Sequence, residues 1–294
     1  MMPRPPKPLP NPTKIHTSQR LPKRNRMTLA VGMRCKSEVI LAADTRLSYG
    51  PGRPVSEGQK MTNWQCGSCN VVIAQSADDV YAANSVMADI IAKIKVDCPD
   101  SLPQLENAVE QVMLESYAPV HDNRPYIQLL VAACVGEEKA LYFCTPPNTM
   151  SPIWDDCHAI GEAHPVVNEI GKWFETHKDQ TAHERLCQLS YMMYRAKLLY
   201  PDSVGGHTDV AVLTDSQNVP LWIERISMDV AESYGIALER HLSQLMSLVM
   251  GGSLKGHEDI LKAAEGIYSC SMMYAAAEFR CQFPDIVIRR QFYT

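Results

Sequence analysis

The stretch from Arg26 to Arg46, RMTLAVGMRCKSEVILAADTR, decides how the rest of the chain is read. Two apolar runs, Thr28–Met33 and Glu38–Ala43, flank the polar break Lys36-Ser37, which is the pattern of a β-hairpin. Behind it, residues 1–26 are rich in Pro, Lys, Arg and Asn and cannot continue a strand. A well-formed first strand therefore starts abruptly at a threonine, directly after a tail of unlike composition.

Working outward, the 294 residues are 46% hydrophobic and 21% charged, ordinary for one large or two small globular domains. No apolar run approaches the roughly 20 residues of a membrane-spanning helix. Residues 1–26 lack the apolar core of a secretory signal, and their seven prolines argue against the amphipathic helix of an organelle leader. Without such a signal, the ten cysteines read as free thiols in a reduced, cytoplasmic protein. The tail carries seven basic residues and no acid. Against a net charge of −5, that leaves −12 on the remainder, which argues against nucleic-acid binding.

After the hairpin comes a Gly- and Pro-containing loop, Ser48–Gly58, and a second hairpin of Gln59–Gln65 and Asn70–Gln75. Ser76 is the expected N-cap of a helix marked by Val80, Ala83, Val86, Met87, Ile90, Ile91 and Ile94. A second helix is expected over Leu102–Tyr117. Strands follow at Ile127–Cys134 and Lys139–Cys144, and Ile153–Ile160 holds another short strand, ending at Gly161. Two more helices show apolar faces at Val166, Val167, Ile170, Trp173 and Phe174, and at Leu186, Leu189, Met193 and Ala196. Thr208–Thr214 and Leu221–Ile226 close the strands. Strand blocks alternating with helix pairs predict an α+β fold, with two antiparallel sheets face to face and helices outside in four αββα layers. Beyond it, Asp229–Met250 and Glu258–Gln282 read as a C-terminal helical pair joined by Gly251-Gly252-Ser253. The domain reading is thus 1–27 as leader or extension, 28–226 as the sandwich, and 227–294 as the helical extension.

Three polar residues mark strand ends: Thr28 opens the first strand, Asp44 closes the second and Lys60 opens the third, at equal spacings of 16. A hydroxyl is a poor nucleophile until a base takes its proton. If Thr28 becomes the first residue, its own α-amine, with a pKa of about 7.7–8.0, can be that base. A neighbouring Lys60 ammonium would lower that pKa further, and Asp44 would hold the lysine. Such a set performs acyl transfer: attack on an amide carbonyl, an ester intermediate, then hydrolysis.

TLAVGMRCKSEVILAADTR followed by GQKM resembles the start of proteasome β subunits and their bacterial relatives among the N-terminal-nucleophile hydrolases. The family's catalytic Thr, Asp and Lys fall on Thr28, Asp44 and Lys60 without a gap, and its strand Gly and Lys on Gly32 and Lys36. The resemblance continues more loosely through NVVIAQSADDVYAAN, LLVAACVGEEKALYFCTP, HAIGEAHPVV and SVGGHTDVAVLT, to about Thr214. It implies a threonine peptidase acting on peptides or unfolded proteins within a homo-oligomeric ring or stacked rings. It leaves open an ATP-dependent unfoldase, and implies no cofactor, nucleic acid or membrane. Two other readings stand beside it: a non-catalytic assembly subunit of the same fold, and an amidase acting on a small amide.

The supporting positions depart from the family pattern. Gln75 stands where the family has the Gly whose backbone amide serves the oxyanion, and Glu162 stands where it has Ser. Asp202 and Gly205-Gly206 resemble the supporting Asp and glycine turn, one residue shorter and with Val204 in place of Ser. Met27 precedes Thr28, so either self-cleavage or translation from Met27 followed by its removal would expose the threonine.

Cys66-Gly67-Ser68-Cys69 reads as a hairpin turn between two strand-end cysteines rather than a redox or zinc motif. The nine histidines show no metal-site spacing. Met192-Met193 and Met272-Met273 read as packing residues. The stripe Val230, Tyr234, Leu238, Leu242, Leu245, Val249, with Ile260, Leu261, Ala264, Ile267 and Tyr268 after it, must be buried either on the same subunit or across a subunit contact.

Overall fold

The computed structural model describes residues 28–48, 55–116, 126–145, 150–174, 180–214 and 219–250, and Lys262. The tail 1–27 and, apart from Lys262, the expected helix Glu258–Gln282 lie outside the described residues. So do the stripe side chains of Leu238, Leu242, Leu245 and Val249, and those of Trp173 and Phe174.

Twelve strands and five helices make up the described chain. The strands are β1 (Leu29–Arg34), β2 (Val39–Asp44), β3 (Arg46–Ser48), β4 (Val55–Glu57), β5 (Met61–Cys66), β6 (Cys69–Ala77), β7 (Ile127–Val135), β8 (Glu138–Cys144), β9 (Met150–Pro152), β10 (Cys157–Gly161), β11 (Thr208–Leu213) and β12 (Leu221–Ile223). The helices are α1 (Val80–Asp97), α2 (Leu102–Ser116), α3 (His164–Phe174), α4 (Ala182–Leu199) and α5 (Arg225–Met250). All sheets are antiparallel: one five-stranded in the order β10-β1-β2-β11-β12, one five-stranded in the order β5-β6-β7-β8-β9, and the pair β3-β4.

Burial explains the apolar runs. β2 and β6 are buried at every position, because each sheet is covered on both faces, and a strand covered twice needs no polar side. Alternate residues still serve different neighbours. Val31, Ile40 and Val210 of the first sheet pack with Val167, Leu189 and Met193 of α3 and α4. Ala30, Leu41 and Ala43 instead pack with Val72, Ala74 and Leu130 of the second sheet. That sheet's Val71, Ile73 and Val131 in turn meet Ile90, Ile94 and Leu105 of α1 and α2.

Several sequence expectations are corrected. The N-cap of α1 is Asp79, whose Oδ1 accepts from the amides of Tyr81 and Ala82 at 2.9 and 3.2 Å; Ser76 lies inside β6. The short strand expected within Ile153–Ile160 is β10, which ends at Gly161 and pairs with β1, whereas β9 just before it, which the pattern did not mark, pairs with β8 in the other sheet. The strand expected over Leu221–Ile226 ends at Ile223, and α5 starts at Arg225, ahead of the expected Asp229. The cysteines are not all free thiols. Cys66, at the tip of the β5–β6 hairpin, is joined to Cys98, the left-handed C-cap of α1, across a Cα separation of 5.6 Å. α4 opens with a reciprocal capping box between Thr181 and Glu184 that the Thr-x-x-Glu spacing offered and the pattern reading passed over. No helix among the described residues is long and apolar enough to cross a membrane.

Candidate active site

Thr28 sits immediately before β1, at the edge where β10 joins the first sheet. Its carbonyl accepts a hydrogen bond from the Glu162 amide at 3.1 Å, just beyond the Leu29–Gly161 pair that ends the β1–β10 register. This close approach requires glycine at 161. Gly161 has φ +98°, and a methyl there would stand 1.8 Å from the Thr28 carbonyl oxygen and 3.0 Å from the Ser76 hydroxyl oxygen. Thr28 itself is buried.

Asp44, the last residue of β2, is the hub. Its Oδ1 accepts from the Leu29 amide at 2.8 Å and from Lys60 Nζ at 2.9 Å, and its Oδ2 accepts from the Gly205 amide at 3.1 Å. One donor comes from the residue after Thr28, one from the entry to β5 in the other sheet, and one from the turn before β11. Asp44 and Lys60 have exposures of 0% and 1%, so water solvates neither charge. Burial pushes the Asp44 carboxyl up and the Lys60 ammonium down from their ordinary values, while their mutual attraction resists both shifts and the two amides resist that of Asp44.

The glycine turn is itself tied down. The Arg46 amide donates to the Gly205 carbonyl at 3.1 Å, and the His207 amide to the Thr45 hydroxyl at 2.8 Å. Gly206 has φ +67°, and a side chain there would collide with that hydroxyl at 2.5 Å. Behind it, His207 Nδ1 lies 2.6 Å from Asp229 Oδ2 on α5.

The structure thus brings Thr28, Asp44 and Lys60 to one place between the two sheets. Two of the site expectations fall elsewhere. The Gln75 amide donates to the Lys60 carbonyl at 3.0 Å, so it is spent within the sheet and does not point at a reacting carbonyl. The Gln75 side chain faces α1 and donates to Asn84 Oδ1 at 2.6 Å. Asp202 is exposed in the turn after α4, and the group that reaches Asp44 from that turn is the Gly205 amide. Glu162 contributes its backbone amide, and its side chain is exposed. Ser76, expected as a helix cap, instead follows Val72 and Ala74 in the two-residue period of β6 that faces the other sheet.

A groove of about 480 Å³ runs between β5 and α1, lined by Gln59, Thr62, Trp64, Asn84, Met87 and Ile91, among others. It begins one residue from Lys60. Among the described residues, no group of three or more His, Cys, Asp or Glu is placed to hold a metal ion.

No protein-family model and no curated protein matches the chain. Solved structures do. A Gly-1 mutant of Anbu from Hyphomicrobium sp. strain MC1 is 17% identical and superposes with a TM-score of 0.61, over 74% of this chain and 96% of that one. Anbu from Yersinia bercovieri, described as an ancestral β-subunit, gives 16% and 0.59 over 74% and 97%. The helical assembly of the Anbu complex from Pseudomonas aeruginosa gives 16% and 0.57 over 74% and 96%. At these identities the likeness establishes a shared fold.

Proposed function

We propose that the chain is a proteasome-like threonine peptidase, with the four-layer αββα sandwich of the N-terminal-nucleophile hydrolases and Thr28 as the first residue of the working form. The observation that carries this reading is the convergence on Asp44 of the Leu29 amide, the Lys60 ammonium and the Gly205 amide. That convergence fixes a buried cation beside the residue that follows the nucleophile.

In this mechanism the Thr28 hydroxyl attacks a peptide carbonyl and gives its proton to the Thr28 α-amine. The Lys60 charge keeps that amine neutral enough to accept it. The C–N bond breaks as the proton passes to the leaving amine. Water then cleaves the Thr28 ester by the same proton path in reverse. The apolar walls of the β5–α1 groove suit a peptide side chain, and no cofactor is required. Self-association fits the reading, since a neighbour of this fold forms a helical assembly; we read a homo-oligomer that encloses its substrate.

A second reading has its own observation. With the Gln75 amide engaged by Lys60 and Asp202 exposed, the supporting positions do not repeat the family pattern. A non-catalytic assembly subunit would tolerate that. Intact-mass measurement and N-terminal sequencing of protein from its own host, combined with hydrolysis of fluorogenic peptides by the parent and Thr28→Ala, separate the two. A chain beginning at Thr28, whose activity disappears in Thr28→Ala, is the expected result. Activity that survives the substitution would overturn the proposal.

A further inference from the structure

We propose that Cys66 and Cys98 are a redox modification site: a dithiol–disulfide couple that fastens one end of the β5–α1 groove when oxidised and releases that end when reduced. Its reaction partner is a dithiol. The inference goes beyond the peptidase reading and stands without it, because it is drawn from the walls of the groove alone.

The two cysteines end the two walls. Cys66 is the last residue of β5, and Cys98 caps the C-terminus of α1; their Cα atoms are 5.6 Å apart. Trp64, two residues before Cys66, and Lys95, three before Cys98, both line the groove. Lys95 Nζ stands 5.0 Å from the centroid of the Trp64 ring, so a cation–π contact and the disulfide fasten the same end. β5 is the outermost strand of its sheet and pairs only with β6. A covalent tie to α1 restrains it on the side where the sheet does not. The other end of the groove begins one residue from Lys60, so the couple puts a surface beside the candidate site under redox control.

The pair is open to chemistry. Cys98 is exposed and Cys66 half-buried. The other six cysteines of the described residues are free thiols, five of them buried and Cys35 half-buried. Cys69 stands opposite Cys66 in the ladder, but it is fully buried, and burial with Cys134 pushes its thiol up to about 11, so it competes poorly for Cys66. Cys98 also holds a left-handed backbone, φ 43°, the one non-glycine to do so among the described residues. Glycine is the usual residue at such a helix end. A cysteine there gives up backbone ease and gains a sulfur within reach of β5.

The exchange balances as a two-electron step. A thiolate of the dithiol attacks the exposed Cys98 sulfur, the Cys66–Cys98 bond breaks, and Cys66 leaves as a thiolate that takes up a proton. The partner's second thiolate attacks its own sulfur in the mixed disulfide, and Cys98 leaves and is protonated. Two electrons and two protons pass to the protein, and the partner becomes a disulfide. An oxidised dithiol runs the sequence backwards.

The test incubates the full chain, without denaturant, in dithiothreitol or in its oxidised form. Alkylation with iodoacetamide and peptide mapping read the thiols, and hydrogen–deuterium exchange reads the groove. Cys98→Gly, which keeps the left-handed cap, and Cys98→Ser are measured beside the parent. Reduction should expose Cys66 and Cys98 to rapid alkylation and no other cysteine of the described residues. It should speed amide exchange about tenfold in β5 and in residues 91–97, leave β7 and β8 unchanged, and be reversed by oxidised dithiothreitol. Both variants should exchange like the reduced parent and no longer respond to dithiothreitol. The proposal is overturned if Cys66 and Cys98 are alkylated equally in both forms, if the bond resists dithiothreitol in the folded chain, or if it is reduced with no change in exchange. If the exchange shifts as expected while neither form hydrolyses a fluorogenic peptide, the peptidase reading falls and the redox couple stands.

Discussion

Two buried carboxylates, Asp44 and Glu232, each pair with a lysine, and they are held in opposite ways. Asp44 takes two of its three donors from the backbone, and its lysine partner is fully enclosed. Glu232, on α5, takes side-chain donors: Lys197 of α4 at 2.7 Å and the Thr208 hydroxyl at 2.5 Å. The Glu232 pair is also partly open, with side-chain exposures of 17% for Lys197 and 10% for Glu232. The two clusters are linked, since Thr208 stands opposite Asp44 in the β2–β11 register. A carboxylate caged by main-chain amides is fixed by the fold and cannot follow a side chain that moves. One caged by side chains fastens two helices and a strand, and can be replaced by other contacts. The first arrangement suits chemistry, where a charge must stay put; the second suits docking of α5.

Removing the two lysines separates these roles. Lys60→Met leaves Asp44 as a buried, uncompensated charge, for which about 3–5 kcal/mol of lost stability is expected. Peptide hydrolysis should vanish with it, because the Thr28 amine loses the cation that tunes it. Denaturant unfolding and a peptide assay measure the two effects. A Lys60→Met chain as stable as the parent would mean that the ion pair is not formed.

Gly161→Ala attacks the same site through the backbone. A residue with a side chain at φ +98° costs about 1–3 kcal/mol in conformation alone. The added methyl must also push the Thr28 carbonyl away from the Glu162 amide. Activity should fall further than stability, and an alanine variant with parental kcat would break the link between this edge and the nucleophile.

Some of this was legible in the sequence. Thr28, Asp44 and Lys60 could be placed at strand ends because hairpin patterns fix where strands start and stop, and strand ends share a sheet edge. Two large antiparallel sheets were legible because strand blocks alternate with helix pairs along the chain. What the sequence hid depended on contacts between distant segments. The Gln75 amide is consumed by Lys60 across the β5–β6 ladder, and no local pattern records which partner an amide will find. Asp202 looked like a supporting acid, yet its side chain is exposed and the turn offers Asp44 the Gly205 amide. Cys66 looked like half of a Cys-x-x-Cys turn; its partner, Cys98, lies at sequence separation 32 on the end of a helix.

Lys197→Met tests the other half of the comparison. Glu232 keeps the Thr208 hydroxyl and some access to water, so the expected loss is about 1–2 kcal/mol. Hydrolysis by the folded chain should stay within about twofold of the parent, since no main-chain bond of the Asp44 cage passes through Lys197. A large loss of kcat at unchanged stability would show that α5 and the Asp44 cage are not independent fastenings, and would favour coupling through Thr208.

The smallest effect belongs to thiols outside both clusters, half-buried Cys35 and buried Cys69 and Cys144. Burial, with help from Glu38, pushes Cys35 up to about 12; burial with Glu110 takes Cys144 to about 12; and burial with Cys134 takes Cys69 to about 11. Alkylation proceeds through the thiolate. At pH 8 a thiol raised from 9.0 to about 12 has roughly a thousandfold less thiolate than an unperturbed one. Native Cys35 and Cys144 should therefore react with iodoacetamide about a thousandfold more slowly than in the unfolded chain, and Cys69 about a hundredfold more slowly. The linkage has a definite sign: above pH 9 the unfolded chain releases these protons and the folded chain keeps them, so stability falls as pH rises. The same thiols should leave hydrolysis untouched, because none of them belongs to the Asp44 cage. Peptide mapping of the alkylated sites by mass spectrometry checks this. Rapid native labelling of Cys35, with loss of activity, would show that the cage reaches further along β1 than its hydrogen bonds indicate.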